Sequence, residues 1–147
     1  MTSSTDSGSL KEYRTCIVDG VFDLFHVGHL NILKNAKQLF SVSLVGLNTD
    51  DFVEQYKGAK PVIPFNQRKE ILESIIHVDG VLPINGYDCY TPAFLDQNSI
   101  DYLVHGRTND PILCQMYAEL KDNKMYFEID ETPSIHTTQL VEICKYR

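Results

Sequence analysis

The chain has 147 residues, 43% of them apolar, enough to fill one core without a metal or a disulfide to hold it. A formal charge of −7 with no offsetting basic patch excludes a nucleic-acid partner, and the apolar runs, such as residues 42–47, are far too short to cross a bilayer. Four scattered cysteines without a C-x-x-C pair argue against zinc and a disulfide framework, and the polar N-terminus is unlike a signal peptide, so a soluble, cytoplasmic protein is expected.

Residues 1–12 are rich in Ser, Thr, Gly and charge and are expected to form a disordered tail, leaving 13–147 as the folded domain. A first strand is predicted over residues 15–19, followed by a helix in which Leu30, Leu33, Ala36 and Leu39 recur at helical spacing. A second strand follows over 42–47, then a helix carrying Ile71, Leu72, Ile75 and Ile76 after an Asn66 cap. A third strand is predicted at 80–82, a helix opened by Thr91-Pro92, a fourth strand at 101–104, and a helix opened by Asp110-Pro111. A fifth strand at 125–129 leads to a last apolar helix, for which Thr137 and Thr138 read as N-caps. Continuously apolar strands alternating with helices predict an α/β fold, a Rossmann-like doubly wound parallel sheet of about five strands, with its ligand beyond the carboxyl ends of the strands.

The segment from Asp19 to His29, DGVFDLFHVGH, runs from the first strand into the first helix, where phosphates bind in such folds. Gly20 lets backbone amides approach a phosphate chain closely, and the helix start adds unpaired N–H groups and the positive end of a dipole. His26 and His29 lie three apart, so on a helix start they share a face and can donate to the same phosphates. Taken alone, an H-x-x-H is more often a cap or surface feature; here Gly20-x-Phe22-Asp23 followed by His26-x-Gly28-His29 directly after a strand favours function.

That pattern resembles the nucleotidyltransferase superfamily, and Gly20-Val21-Phe22-Asp23-Leu24-Phe25-His26 resembles its cytidylyltransferases of phosphocholine, phosphoethanolamine and glycerol 3-phosphate. Tyr56-Lys57-Gly58 with Arg68 resembles the family's Lys-Gly loop and Glu-Arg helix start, and His77-Val78-Asp79-Gly80-Val81 its Tyr-Val-Asp-Glu-Val segment. Val104-His105-Gly106 resembles the turn before the cytosine site. The resemblance implies transfer of CMP from CTP to a small phosphomonoester, phosphoethanolamine first, with Mg²⁺ accompanying CTP and a homodimer as the assembly. It implies His26 and His29 at the α- and β-phosphates, Lys57 at the attacking and α-phosphates, and Arg68 at the outer phosphates. Gly20, Val21, Phe22, Gly28, His105, Gly106, His136, Thr137 and Thr138 complete the expected nucleotide site.

Asp23 is a candidate for a cationic head group, with a loop-ordering carboxylate as its equal alternative. Where family members carry Arg-Thr-x-Gly-Ile-Ser-Thr-Thr, this chain has Glu131-Thr132-Pro133-Ser134-Ile135-His136-Thr137-Thr138, and Arg107-Thr108 follow Gly106 in place of an acidic or amide residue. These departures resemble the C-terminal repeat of two-domain ethanolamine-phosphate cytidylyltransferases. Three readings stay open: a cytidylyltransferase in which His136 or Arg107 supplies the missing donation, an adenylyltransferase on the same fold, and a nucleotide-binding or dimerisation module without turnover.

Overall fold

The structure, a computed structural model, describes residues 14–130 and 137–145, without the side chain of Thr138. All five predicted strands form: β1 (Thr15–Gly20), β2 (Val42–Asn48), β3 (Gly80–Ile84), β4 (Tyr102–Gly106) and β5 (Tyr126–Ile129). They pair in parallel in the order β3-β2-β1-β4-β5, with Asp19 opposite Gly46 and Val18 opposite Val104. The chain order reverses between β1 and β4, so the crevice opens at the carboxyl ends of those two strands.

Both faces of the sheet are covered, which is why β1 is buried continuously from Cys16 to Asp19. On one face Cys16, Val18, Val45, Leu47 and Val104 pack with Leu33 and Ala36 of α1 (Val27–Leu39) and Leu72 of α3 (Phe65–Glu73). On the other, Ile17 and Leu103 pack with Phe52 of α2 (Asp50–Lys57), Leu95 of α4 (Pro92–Gln97), and Met116, Tyr117 and Leu120 of α5 (Pro111–Asp122). The last helix is α6 (Thr137–Cys144). No helix among the described residues is long and apolar enough to cross a membrane.

The Thr91 and Asp110 caps form as the sequence suggests, their side chains accepting from the amides of Phe94 and Ile112 at 3.1 and 2.9 Å. Asn66 does not cap α3. The cap position falls on Pro64, and the first helical amide, that of Phe65, donates instead to Asp50 Oδ2 at 3.2 Å. That helix ends at Glu73, so Ile76 is not part of an apolar face and is 86% exposed. Helix α2 is not anticipated by the sequence reading. Thr49 caps it, and Gly58 ends it in the left-handed region at φ 84°, so the Lys57-Gly58 pair is the close of a helix rather than a free loop.

Candidate active site

A cleft of about 600 Å³ opens over the carboxyl ends of β1, β2 and β4. Its wall includes Gly20, Val21, Phe22, Asp23, His26, Gly28 and His29 from the β1–α1 connection, and Lys57 and Lys60 from the end of α2 and beyond. His105, Gly106 and Thr108 come from the end of β4, and Thr137 from the start of α6.

The two histidines are fixed by the helix they open. His26 occupies the N-cap of α1 with extended backbone, and its Nδ1 accepts from the Gly28 amide at 3.0 Å. His29 reciprocates, its Nδ1 accepting from the His26 amide at 3.2 Å, so two imidazoles complete the box that Ser and Glu form in other helices. An Nδ1 that accepts from an amide carries no proton, which assigns both rings as neutral Nε2–H tautomers. The rings stack with centroids 3.8 Å apart, and Phe22 and Phe25 flank His29 at 5.3 and 5.4 Å. Cap and function are therefore the same geometry, because the nitrogen used for capping leaves the opposite nitrogen as the donor.

The connection before them is held in an unusual shape. Phe22 and Leu24 adopt φ of 53° and 47°, a region that costs a non-glycine residue roughly 1–2 kcal/mol. Asp23 offsets this: its carboxylate is buried and accepts from the amides of Leu24 at 3.1 Å, Val62 at 2.7 Å and Ile63 at 2.9 Å. Of the two readings of Asp23, loop ordering is the one its contacts show. Thr137 tightens the same loop from α6, its Oγ1 donating to the Asp23 carbonyl at 2.9 Å and lying 3.5 Å from His26 Nε2. Thr137 is the first residue of its helix rather than the cap.

Arg68 is not in the wall of the cleft. Only 1% exposed, its guanidinium donates to the carbonyls of Ile63 at 2.8 Å, Val21 at 2.7 Å and Asn48 at 3.0 Å, and to Asp50 Oδ1 at 2.6 Å. It ties the β1–α1 loop, the end of β2 and the starts of α2 and α3 together from behind. Arg107 also stands apart, 71% exposed at its side chain and paired with Glu128 at 3.5 Å and Asp130 at 3.1 Å. Lys57, by contrast, does border the cleft, with Nζ 5.7 Å from the Tyr56 ring, and Lys60 joins it there 3.8 Å from Asp51. The expectations at Glu131 and His136, the tail at 1–12 and the side chain of Thr138 lie outside the described residues.

The sequence reading missed the floor of the cleft. Asp19, at the end of β1, is buried and accepts hydrogen bonds from Tyr90 Oη at 2.7 Å and from Tyr117 Oη. Burial holds its carboxyl above the usual carboxylate range, partly opposed by His105 nearby and by the two hydroxyls. Tyr90 reaches Asp19 over Gly46, where a Cβ would meet its hydroxyl at 2.1 Å. Asn48 and Tyr56 also line the cleft; Asn48 Nδ2 donates to Tyr56 Oη at 3.2 Å, and burial pushes the Tyr56 hydroxyl up to about 12. The available sequence signal was parity: Ile17 and Asp19 on β1, and Gly46 and Asn48 on β2, share one face.

A family model for cytidylyltransferase-like domains matches residues 17–143 of this chain. The ethanolamine-phosphate cytidylyltransferase of Mus musculus is 35% identical over 127 residues, which cover 84% of this chain and 30% of that protein. The choline-phosphate cytidylyltransferase of Saccharomyces cerevisiae is 39% identical over 123 residues, 82% of this chain and 27% of that protein. The chain thus spans under a third of the length of either relative. The FAD synthase of Thermococcus sibiricus is 29% identical over 129 residues, covering 88% of this chain and 86% of that protein. In fold, the lipopolysaccharide core biosynthesis protein from Thermoplasma volcanium superposes with a TM-score of 0.63 at 20% identity, over 81% of this chain and 98% of that one.

Proposed function

The chain belongs to the cytidylyltransferase-like family, and from that premise we propose that its cleft transfers CMP from CTP to a small phosphorylated alcohol and releases pyrophosphate. Phosphoethanolamine is the first acceptor, with phosphocholine and glycerol 3-phosphate next. The observation that carries this reading is the histidine pair at the start of α1, whose Nδ1 atoms are taken by backbone amides so that the ring protons face the other way.

In the proposed reaction an oxygen of the acceptor phosphate attacks the α-phosphorus of CTP in line. The new P–O bond forms as the bond from the α-phosphorus to the α,β-bridging oxygen breaks, and pyrophosphate leaves with that electron pair. No covalent enzyme intermediate is needed, so the protein's task is positioning and charge stabilisation. His26 and His29 donate through Nε2 to the phosphates on which charge grows, assisted by the amides and dipole of the α1 start. Lys57 and Lys60 neutralise the phosphates from the facing wall. Arg68 acts through the loop it holds, not on the nucleotide.

Mg²⁺ enters as part of the substrate, bound to the phosphates of CTP. The carboxylates of the cleft favour that division of labour, since Asp19 already accepts from two tyrosines, Asp23 from three amides and Asp110 from the Ile112 amide. Among the described residues no cluster of three or more His, Cys, Asp or Glu side chains is placed to hold a metal. The base rests toward His105, Gly106 and Thr108 at the end of β4.

The likeness to an FAD synthase favours a second reading, adenylyl transfer, and one assay separates the two. Pyrophosphate release is measured with MgCTP or MgATP against phosphoethanolamine, phosphocholine, glycerol 3-phosphate and riboflavin phosphate. The proposal expects the highest kcat/KM with CTP and phosphoethanolamine. Faster release with ATP moves the assignment to the second reading. No release from any pair, with CTP binding intact by titration, leaves a binding module.

A further inference from the structure

The cleft ends below at Asp19, and both oxygens of that side chain are already taken, Oδ1 by Tyr90 Oη at 2.7 Å and Oδ2 by Tyr117 Oη. On the far side of Tyr90 lies a second depression of about 510 Å³, bordered by Tyr87 and Tyr90 of the β3–α4 connection and by Ile112 and Met116 of α5. Tyr90 therefore stands between two open spaces. It lines the second, and its hydroxyl closes the floor of the first.

The placement of Tyr90 is specified from several sides. It is only 2% exposed, with its ring edge-on to Phe94 at 5.8 Å and tilted against Tyr117 at 6.1 Å. Its hydroxyl lies over Gly46, the β2 residue opposite Asp19, where a Cβ would stand 2.1 Å away. Packing alone would be served by an apolar side chain on β2. The sequence instead leaves β2 bare at that position and brings a long phenol across from another element to reach β1.

Under the proposed reaction, the phosphates of CTP lie at His26 and His29, the attacking phosphate at Lys57 and the base toward the end of β4. The space left for the alcohol portion of the acceptor is over β1 and β2, bordered by Asp19, Asn48, Val53 and Tyr56. The Asp19–Tyr90 pair sets the depth of that space. We propose that Tyr90 is a specificity-determining residue that limits acceptor size, stopping the cleft at Asp19 and confining transfer to alcohols of a few heavy atoms. This rests on the CMP-transfer reading and narrows it. Tyr90 acts through the wall it completes rather than by touching a phosphate.

The test is kcat/KM for pyrophosphate release from MgCTP with phosphoethanolamine and its N-propyl and N-benzyl derivatives, which lengthen the alcohol portion and keep the phosphate and the positive charge. In the natural chain kcat/KM is expected to fall by roughly 100-fold or more from the parent to the N-benzyl acceptor. Tyr90→Ala joins the cleft to the second depression and is expected to raise kcat/KM for the N-benzyl acceptor by roughly 10-fold or more, without raising that for phosphoethanolamine. A gain with a larger acceptor is a change that lost stability does not produce. Tyr90→Phe keeps the ring and drops the hydroxyl, so it should retain the natural order of acceptors and separate the effect of volume from that of the hydrogen bond. Tyr90→Leu, apolar and shorter, makes the same comparison with the N-propyl acceptor if the alanine variant fails to fold. The profile of the natural chain tests the barrier with no substitution at all. Equal kcat/KM across its series, or a folded Tyr90→Ala or Tyr90→Leu variant that gains with no larger acceptor, would overturn the assignment while leaving CMP transfer standing. Release with none of the acceptors in the natural chain would reject the CMP-transfer reading itself, and this inference with it.

Discussion

Arg68→Leu separates a residue that holds the site from one that touches the nucleotide. The guanidinium is buried and makes four hydrogen bonds, three to carbonyls and one to Asp50. Leucine removes all of them at once and leaves Asp50 Oδ1 and the Val21, Ile63 and Asn48 carbonyls to find other donors. Each lost bond to a charged group is worth about 1.5–3 kcal/mol, but part of that is recovered by water reaching the half-exposed Asp50. Removing one partner of a buried pair costs about 3–5 kcal/mol, and for a chain of this size that lowers Tm by roughly 10–20 °C. The assay is urea and thermal unfolding of the chain without nucleotide, where a phosphate contact would contribute nothing. Arg68→Lys should also be destabilised, since one ammonium cannot reach acceptors spread around a planar fork. Unchanged stability in the absence of CTP, together with weakened CTP binding, would refute the reasoning and return Arg68 to the outer phosphates.

His29→Ala should lower turnover by roughly a hundredfold, measured as pyrophosphate release, while His26→Asn keeps a capping acceptor and should lose turnover with stability changed by less than about 1 kcal/mol. Gly46→Ala places a methyl 2.1 Å from the Tyr90 hydroxyl, so it should cost about 3–5 kcal/mol in urea unfolding, and Gly46→Ala with Tyr90→Phe should recover part of that loss. Burial raises the Asp19 pKa, so the folded chain keeps that proton above the pH of about 3.9 at which the unfolded chain releases it. Stability therefore falls as pH climbs from there through the folded pKa, and Asp19→Asn should remove that downward component from Tm measured against pH.

The strands were legible because each centres on a short apolar run, buried continuously in the central β1 and only in part at the edges β3 and β5, and the Thr91 and Asp110 caps because a cap followed by proline is a local signal. Helix α2 escaped because Thr49, Phe52, Val53 and Tyr56 were overshadowed by the Lys57-Gly58 pair, read as a loop. The histidines were visible from their spacing together with the Gly20-x-Phe22-Asp23 segment directly after a strand, but their tautomers depend on amides that only the folded cap aligns. Tyr90 and Tyr117 lie 71 and 98 residues from Asp19, so no local pattern announces that cluster. Arg68 misled because an arginine near a phosphate loop has the same sequence signature whether it faces the ligand or braces the loop from behind.

In the proposed reaction, neutral Nε2–H donors on His26 and His29 promote attack at the α-phosphorus of CTP. The most direct measurement is a rapid-quench single turnover with CTP labelled at the α-phosphate, Mg²⁺ and phosphoethanolamine. The label is expected to pass wholly into CDP-ethanolamine as unlabelled pyrophosphate appears in equal amount, and His29→Ala is expected to slow this step roughly a hundredfold with CTP affinity changed much less. Label that stays in CTP, or a His29→Ala variant that transfers it at the natural rate, would contradict the claim.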